Sequence, residues 1–307
     1  MKRLTIPFFI ATLLGMMSCG NSGQDNELTS SVDSLTSERN ATPETPQLSE
    51  KIIDQIIETF PSPLELTSLM HDAGVEFDEG LLNNTDDLDR FENSAQKAFN
   101  LGAYGADLGY VNFYERPSSA LSILTAVRDL SDELKVEQFF DFSTMSRLAQ
   151  NKNNLDSLLY ISTRGFQEMD DYLTSNGRGE ISLIMLYGGW LEGLYLATES
   201  CRNQAEIPLD LVERIGEQKI VIDNLLLLID AHKSNASIQP ISDDLQTLKS
   251  IYDKVSISYT YAEPTRKEVN GMLVLEDNSS SEVTVEPEVL QIILNTVAEI
   301  RNKKAML

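Results

Sequence analysis

The chain has 307 residues, a formal charge of −24 at neutral pH, two cysteines and two histidines. Such acidity excludes a nucleic-acid role, which needs a basic face for phosphate; it favours solubility, with a cationic partner as the secondary reading. His71 and His232 lie far apart without a neighbouring cysteine or paired histidine, so the sequence carries no transition-metal motif.

Lys2 and Arg3 precede an apolar run from Leu4 to Met17 that is short for a membrane span, followed by the small residues Ser18, Cys19 and Gly20. This pattern reads as an export signal over residues 1–18. Met16-Met17-Ser18-Cys19 resembles the bacterial lipoprotein signal, which implies lipidation of Cys19 and anchoring to the membrane through acyl chains. Losing Lys2 and Arg3 would take the formal charge from −24 to −26. Cys201 is then the one remaining thiol, so no intramolecular disulfide is expected. Residues 19–48 are polar, acidic and proline-bearing with almost nothing large and apolar, the composition of a disordered tether. Gln24-Asp25-Asn26-Glu27 loosely resembles the acidic export tags of surface lipoproteins of Bacteroidota.

A single helical domain is expected over 49–307. Ile52, Ile53, Ile56, Ile57 and Phe60 share one helical face until Pro61. Ser62-Pro63-Leu64-Glu65 has the form of a capping box, and Gly74 stands where a C-terminal cap belongs. Asp86, Asp87, Asp89 and Glu92 lack the spacing of a calcium loop and read as favourable charge before a helix. Helices are predicted over 94–115, 119–134 with Leu121 facing inward, 143–151, 153–175, 180–201, 208–232, 242–255 and 287–304. The aromatic link Phe139-Phe140-Asp141-Phe142 should be buried, and Asn176-Gly177 is the clearest turn. Short alternating runs at 257–261, 272–275 and 283–285, around the break at 278–281, predict a small hairpin or irregular segment.

Two stretches dominate: Leu101-Gly102-Ala103-Tyr104-Gly105-Ala106-Asp107-Leu108-Gly109-Tyr110 and Leu186-Tyr187-Gly188-Gly189-Trp190-Leu191-Glu192-Gly193-Leu194-Tyr195. Each sets glycines, aromatics and one acid inside an apolar run of helical length, at a cost in helix propensity that close packing must offset. The second run is apolar enough to raise a membrane span, but the buried charge of Glu192 favours a helix enclosed in a bundle. Two uses fit. In the first, small residues let two helices approach, and Asp107 and Glu192 are core acids bonded to a tyrosine or a base, with Lys219 of Gly216-Glu217-Gln218-Lys219 the leading base. In the second, Tyr104, Asp107, Tyr110, Trp190, Glu192, Tyr195 and Lys219 line a pocket for a cationic or hydroxylated small molecule. No hydrolase, phosphate-loop, dinucleotide or zinc motif occurs, so neither catalysis nor a cofactor is expected.

The residues from Phe60-Pro61-Ser62-Pro63 through these two stretches to Gly216-Glu217-Gln218-Lys219 resemble a group of uncharacterised lipoproteins of Bacteroidota over roughly residues 50–260. That resemblance implies a largely helical domain in the cell envelope, and it brings no activity or binding residues with it. The fold expected is all-α, a multi-helix bundle or irregular array of antiparallel helix pairs, with a small β-like segment before the last helix. The expected role is an outer-membrane interaction or scaffold module facing the periplasm or the cell surface, with an envelope protein as partner; the alternative is small-molecule binding.

Overall fold

The structure is a computed structural model that describes residues 56, 63–86, 88–149, 155–202, 204, 206–263, 265–269, 272–276 and 280–305, all within one compact unit. The signal, lipidation and tether readings, the side-chain capping box at 62–65 and most of the helix expected at 49–60 lie outside the described residues. Ile56, which is described, is half-buried against the core.

The architecture is all-α with a β-hairpin before the last helix. Helices α1 (Pro63–Asp72), α2 (Ser94–Phe113), α3 (Pro117–Leu134), α4 (Phe142–Ala149), α5 (Leu155–Ser175), α6 (Gly179–Arg202), α7 (Leu209–Asp230), α8 (Gln239–Tyr252) and α9 (Pro287–Ala305) follow in order. Local chemistry sets the boundaries. Asn93 and Gln96 form a reciprocal capping box that starts α2. Gly74 and Gly177 take φ of 74° and 70° where α1 and α5 end, a region that costs glycine little.

At the centre stands α6, which packs against α1, α2, α5, α7 and α9. By length and composition it could cross a membrane, yet 94% of its apolar window is buried inside the protein, as suits a core helix. Its tightest neighbour is α2. A Cβ at Gly102 would stand 2.0 Å from the Met185 carbonyl oxygen, and one at Gly188 would stand 2.2 Å from that of Phe99. The two backbones touch because both helices lack side chains at the crossing. The small-residue contact runs through Gly102, Gly188 and Gly189; Gly105 faces open space.

Sequence and structure differ at several helix faces. Leu121 is 42% exposed, and Ile123, Leu124, Val127, Leu130 and Leu134 form the inner stripe of α3. Ile292 of α9, which the apolar spacing of that helix groups with Val289, Ile293, Val297 and Ile300, is also exposed. Phe139, Phe140 and Phe142 are half-buried, with Phe139 against Tyr172 and Phe140 stacked on Phe142. In α7 the run at 225–229 is split: Leu225, Leu228 and Ile229 are buried while Leu227 is exposed.

Strands β1 (Ser256–Thr260) and β4 (Ser280–Thr284) pair antiparallel, and β2 (Thr265–Val269) pairs with β3 (Met272–Glu276) in the same sense. The ladders are nested, from Ser256 opposite Thr284 to Val269 opposite Met272, and the register slips by one residue between them. Nested in this way, the two ladders form a hairpin arm. Its base sits on α7. Gly216 leaves room for Val283 and Val285, whose side chains would lie 2.6 and 2.7 Å from a Cβ there.

Candidate functional site

The acids of the two glycine-rich helices meet in the core, and the protein's own residues surround them. Glu192 of α6 is fully buried, and its carboxylate takes two charge-assisted hydrogen bonds from Arg301 of α9, at 3.0 Å from Nε and 2.9 Å from Nη2. The guanidinium lies 4.2 Å from the ring centre of Tyr195, and its Nη2 also donates to the Leu81 carbonyl at 3.1 Å. Arg301 thereby joins α9, α6 and the segment before α2 at one point.

Asp107 of α2 is also fully buried. Its Oδ2 accepts from the backbone N–H and the side-chain amide of Asn83, at 3.0 and 2.9 Å. Its Oδ1 has no hydrogen-bond partner among the described residues. Burial foremost, and the neighbouring Glu192 next, push the Asp107 carboxyl well above the usual range, against the smaller opposing pull of Asn83 and Arg301.

Asn83 belongs to a strap, residues 75–84, stitched along one face of α2. Tyr114 donates to the Val75 carbonyl at 2.9 Å, and the Asp78 N–H donates to the Tyr110 hydroxyl at 3.0 Å. Asp107 holds Asn83, and Tyr104 donates to the Asn84 carbonyl at 2.6 Å. Positions 104, 107, 110 and 114 recur at helical spacing, so the strap runs antiparallel to the helix. Phe77 stacks on Tyr110 at 5.2 Å, under Arg116 at 4.7 Å. Desolvation pushes the Tyr104 hydroxyl up to about 12, so it acts here as a neutral donor.

Tyr104, Asp107, Tyr110, Glu192 and Tyr195 thus belong to one polar core. Trp190 and Lys219 do not join it. Trp190 points to α7, where its indole N–H donates to Gln218 Oε1 at 2.9 Å. Lys219 donates to the Val255 carbonyl at 2.7 Å, beside the hairpin base. The base that meets the central acid is Arg301, not Lys219. The polar patch in α7 serves three neighbours: Gly216 seats the valines, Gln218 takes the indole, and Lys219 holds the chain before β1.

Arg301 and Lys304 escaped the sequence reading, although the inward stripe Ile293, Val297, Ile300 of α9 continues through 301 and 304. Lys304 pairs with Asp244 of α8 at 2.9 Å, and Tyr187 of α6 donates to the same carboxylate at 3.3 Å. Two ion pairs therefore fix the last turns of α9. Among the described residues no group of three or more His, Cys, Asp or Glu is placed to hold a metal ion. Comparison with protein-family models, with curated proteins and with solved structures finds no match.

Proposed function

We propose that this chain is a membrane-anchored lipoprotein of the bacterial cell envelope, held through Cys19, whose helical domain is a protein-interaction or scaffold module. Support comes from where its polar and aromatic groups are spent. The acids and tyrosines that would line a small-molecule pocket are engaged by Arg301 and by the strap, which leaves the ligand reading with less support than the interaction reading.

The observation that carries the proposal is the hairpin arm. Ile257 and Val283, directly opposite each other, turn the base of the β1/β4 ladder toward the core. Farther along the chain, Tyr259 of β1 and Tyr261 just after it are 66% and 68% exposed. Tyrosine supplies large contact area with a polar tip, and it is enriched at interfaces. On α7, Leu209, Ile220 and Leu227 are exposed too and fall on one helical stripe. The acidity of the chain, which serves solubility first, would favour a basic face on that partner.

The test is cross-linking in intact cells followed by purification through a C-terminal tag, with wild type, Cys19→Ala and the double variant Tyr259→Ala/Tyr261→Ala in parallel. One envelope protein recovered with wild type and lost with the tyrosine variant supports the reading. Equal recovery with both, or monomer alone from each, overturns it.

A further inference from the structure

The strap is fixed to α2 by three tyrosines and a single acid, and that acid is the anomalous member. Each tyrosine hydroxyl has a backbone partner, whereas Asp107 offers two oxygens and satisfies one. Oδ2 receives both donors of Asn83. Oδ1 is buried and faces no donor among the described residues, so a charge delocalised onto it would be unsolvated.

The surroundings do not supply the missing countercharge. From α6 the ionisable groups that interact with it are Glu192, an acid, and Tyr195. From α9 comes Arg301, but its Nε and Nη2 are committed to Glu192 and to Leu81. On α2 itself Tyr104 and Tyr110 are held by the strap, and Arg90, before α2, acts on Tyr104. Two fully buried acids thus share one arginine, and the bidentate geometry reserves that cation for Glu192.

We propose that Asp107 is a proton-operated latch for the strap: with the proton on Oδ1 the strap lies closed on α2, and loss of that proton to solvent releases Asn83 and opens residues 75–84. In the closed state the acid is neutral, Oδ2 still accepts from Asn83, and no bare charge is buried. Ionisation leaves Oδ1 negative and unsolvated, which water entry relieves only if the strap lifts. Opening uncovers the face of α2 bearing Tyr104, Asp107 and Tyr110.

Amide hydrogen exchange of the strap in the full chain, read as protection factors from pH 4 to 9, tests this. A one-proton latch requires protection at Asp78 and Asn83 to fall about tenfold per pH unit above roughly pH 4, then level off once the closed form itself ionises. In Asp107→Asn, whose amide keeps an oxygen for Asn83 and cannot ionise, protection should be independent of pH. The carboxyl carbon resonance of Asp107 in wild type labelled at aspartate gives a second readout that needs no variant. A midpoint well above the ordinary carboxyl range, falling where the decline in strap protection ends, sustains the latch. A midpoint near pH 4, or strap protection that stays flat while Asp107 titrates, overturns it, as would an unchanged pH slope in Asp107→Asn.

Discussion

Arg301 and Glu192, separated by 109 positions, form a bidentate pair in which the carboxylate is wholly buried and the guanidinium nearly so. Such a pair draws its worth from its completeness. Desolvating both charges costs about as much as their attraction returns, but removing one partner strands the other. Arg301→Met should therefore destabilise the domain by roughly 3–5 kcal/mol, because it leaves Glu192 without a base beside an already unsatisfied Asp107. The double variant Glu192→Gln/Arg301→Met should recover much of that loss. Urea unfolding of the four proteins of the cycle checks both statements, and additive single effects would contradict the pairing.

The crossing of α2 and α6 makes an opposite demand on neighbouring glycines. At Gly102 an added Cβ meets the Met185 backbone, which cannot rotate away, so Gly102→Ala has to push the helices apart; a loss of at least about 2 kcal/mol is expected. Gly105, one turn along, has nothing within 4 Å, and Gly105→Ala should stabilise by roughly 0.5–1 kcal/mol through helix propensity. Thermal melts of the two variants should move in opposite directions. Equal shifts would mean that the crossing is looser than the geometry requires.

Much of this contact was legible beforehand, since glycine and aromatics inside an apolar run imply close packing whichever helix supplies the other side. The strap was not. Residues 75–84 have no periodicity, and their bonds to α2 span 20 to 39 positions, so nothing local encodes them. Arg301 and Lys304 were missed for another reason: as charges they break the apolar pattern of α9, yet they prolong its inward face to reach Glu192 and Asp244. The alternating runs at 257–261 and 272–275 did mark strands β1 and β3, whereas the charged segment Thr265–Val269 carries no apolar alternation.

Cys201 gives a prediction free of any functional assumption. It is 1% exposed, and burial pushes its thiol up to about 12, so almost no thiolate is available at pH 8. In a Cys19→Ala background a thiol reagent should label the folded protein only through unfolding, and its rate should climb with urea in step with the loss of helical signal. Rapid labelling in native buffer would show local opening of the end of α6.

The exposed tyrosines of the arm should be thermodynamically silent. Tyr259 and Tyr261 give little area to the core, so Tyr259→Ala and Tyr261→Ala should each shift stability by no more than about 0.5 kcal/mol. Val283 differs: it is buried against Gly216, and Val283→Ala should cost about 1–3 kcal/mol. Urea denaturation that ranked the tyrosines with the valine would place the arm against the body rather than free for a partner.

Asp107 sets the final prediction through pH. Its folded-state pKa is raised, chiefly by burial, above the value near 4 that an unfolded chain gives an aspartate. Unfolding above pH 4 therefore releases a proton that the folded form retains. The contribution to stability is complete below about pH 4 and is lost as pH rises toward the folded pKa. Asp107→Asn removes the linkage while preserving an acceptor for Asn83. Wild type and variant should accordingly be nearly equal in stability at pH 4, and the variant should pull ahead steadily as pH increases. Subtracting the two curves cancels titrations elsewhere, such as the lowered pKa that Lys249 imposes on exposed Asp253. Chemical denaturation at a series of pH values provides both curves. A difference that is constant with pH would mean that Asp107 is already ionised in the fold.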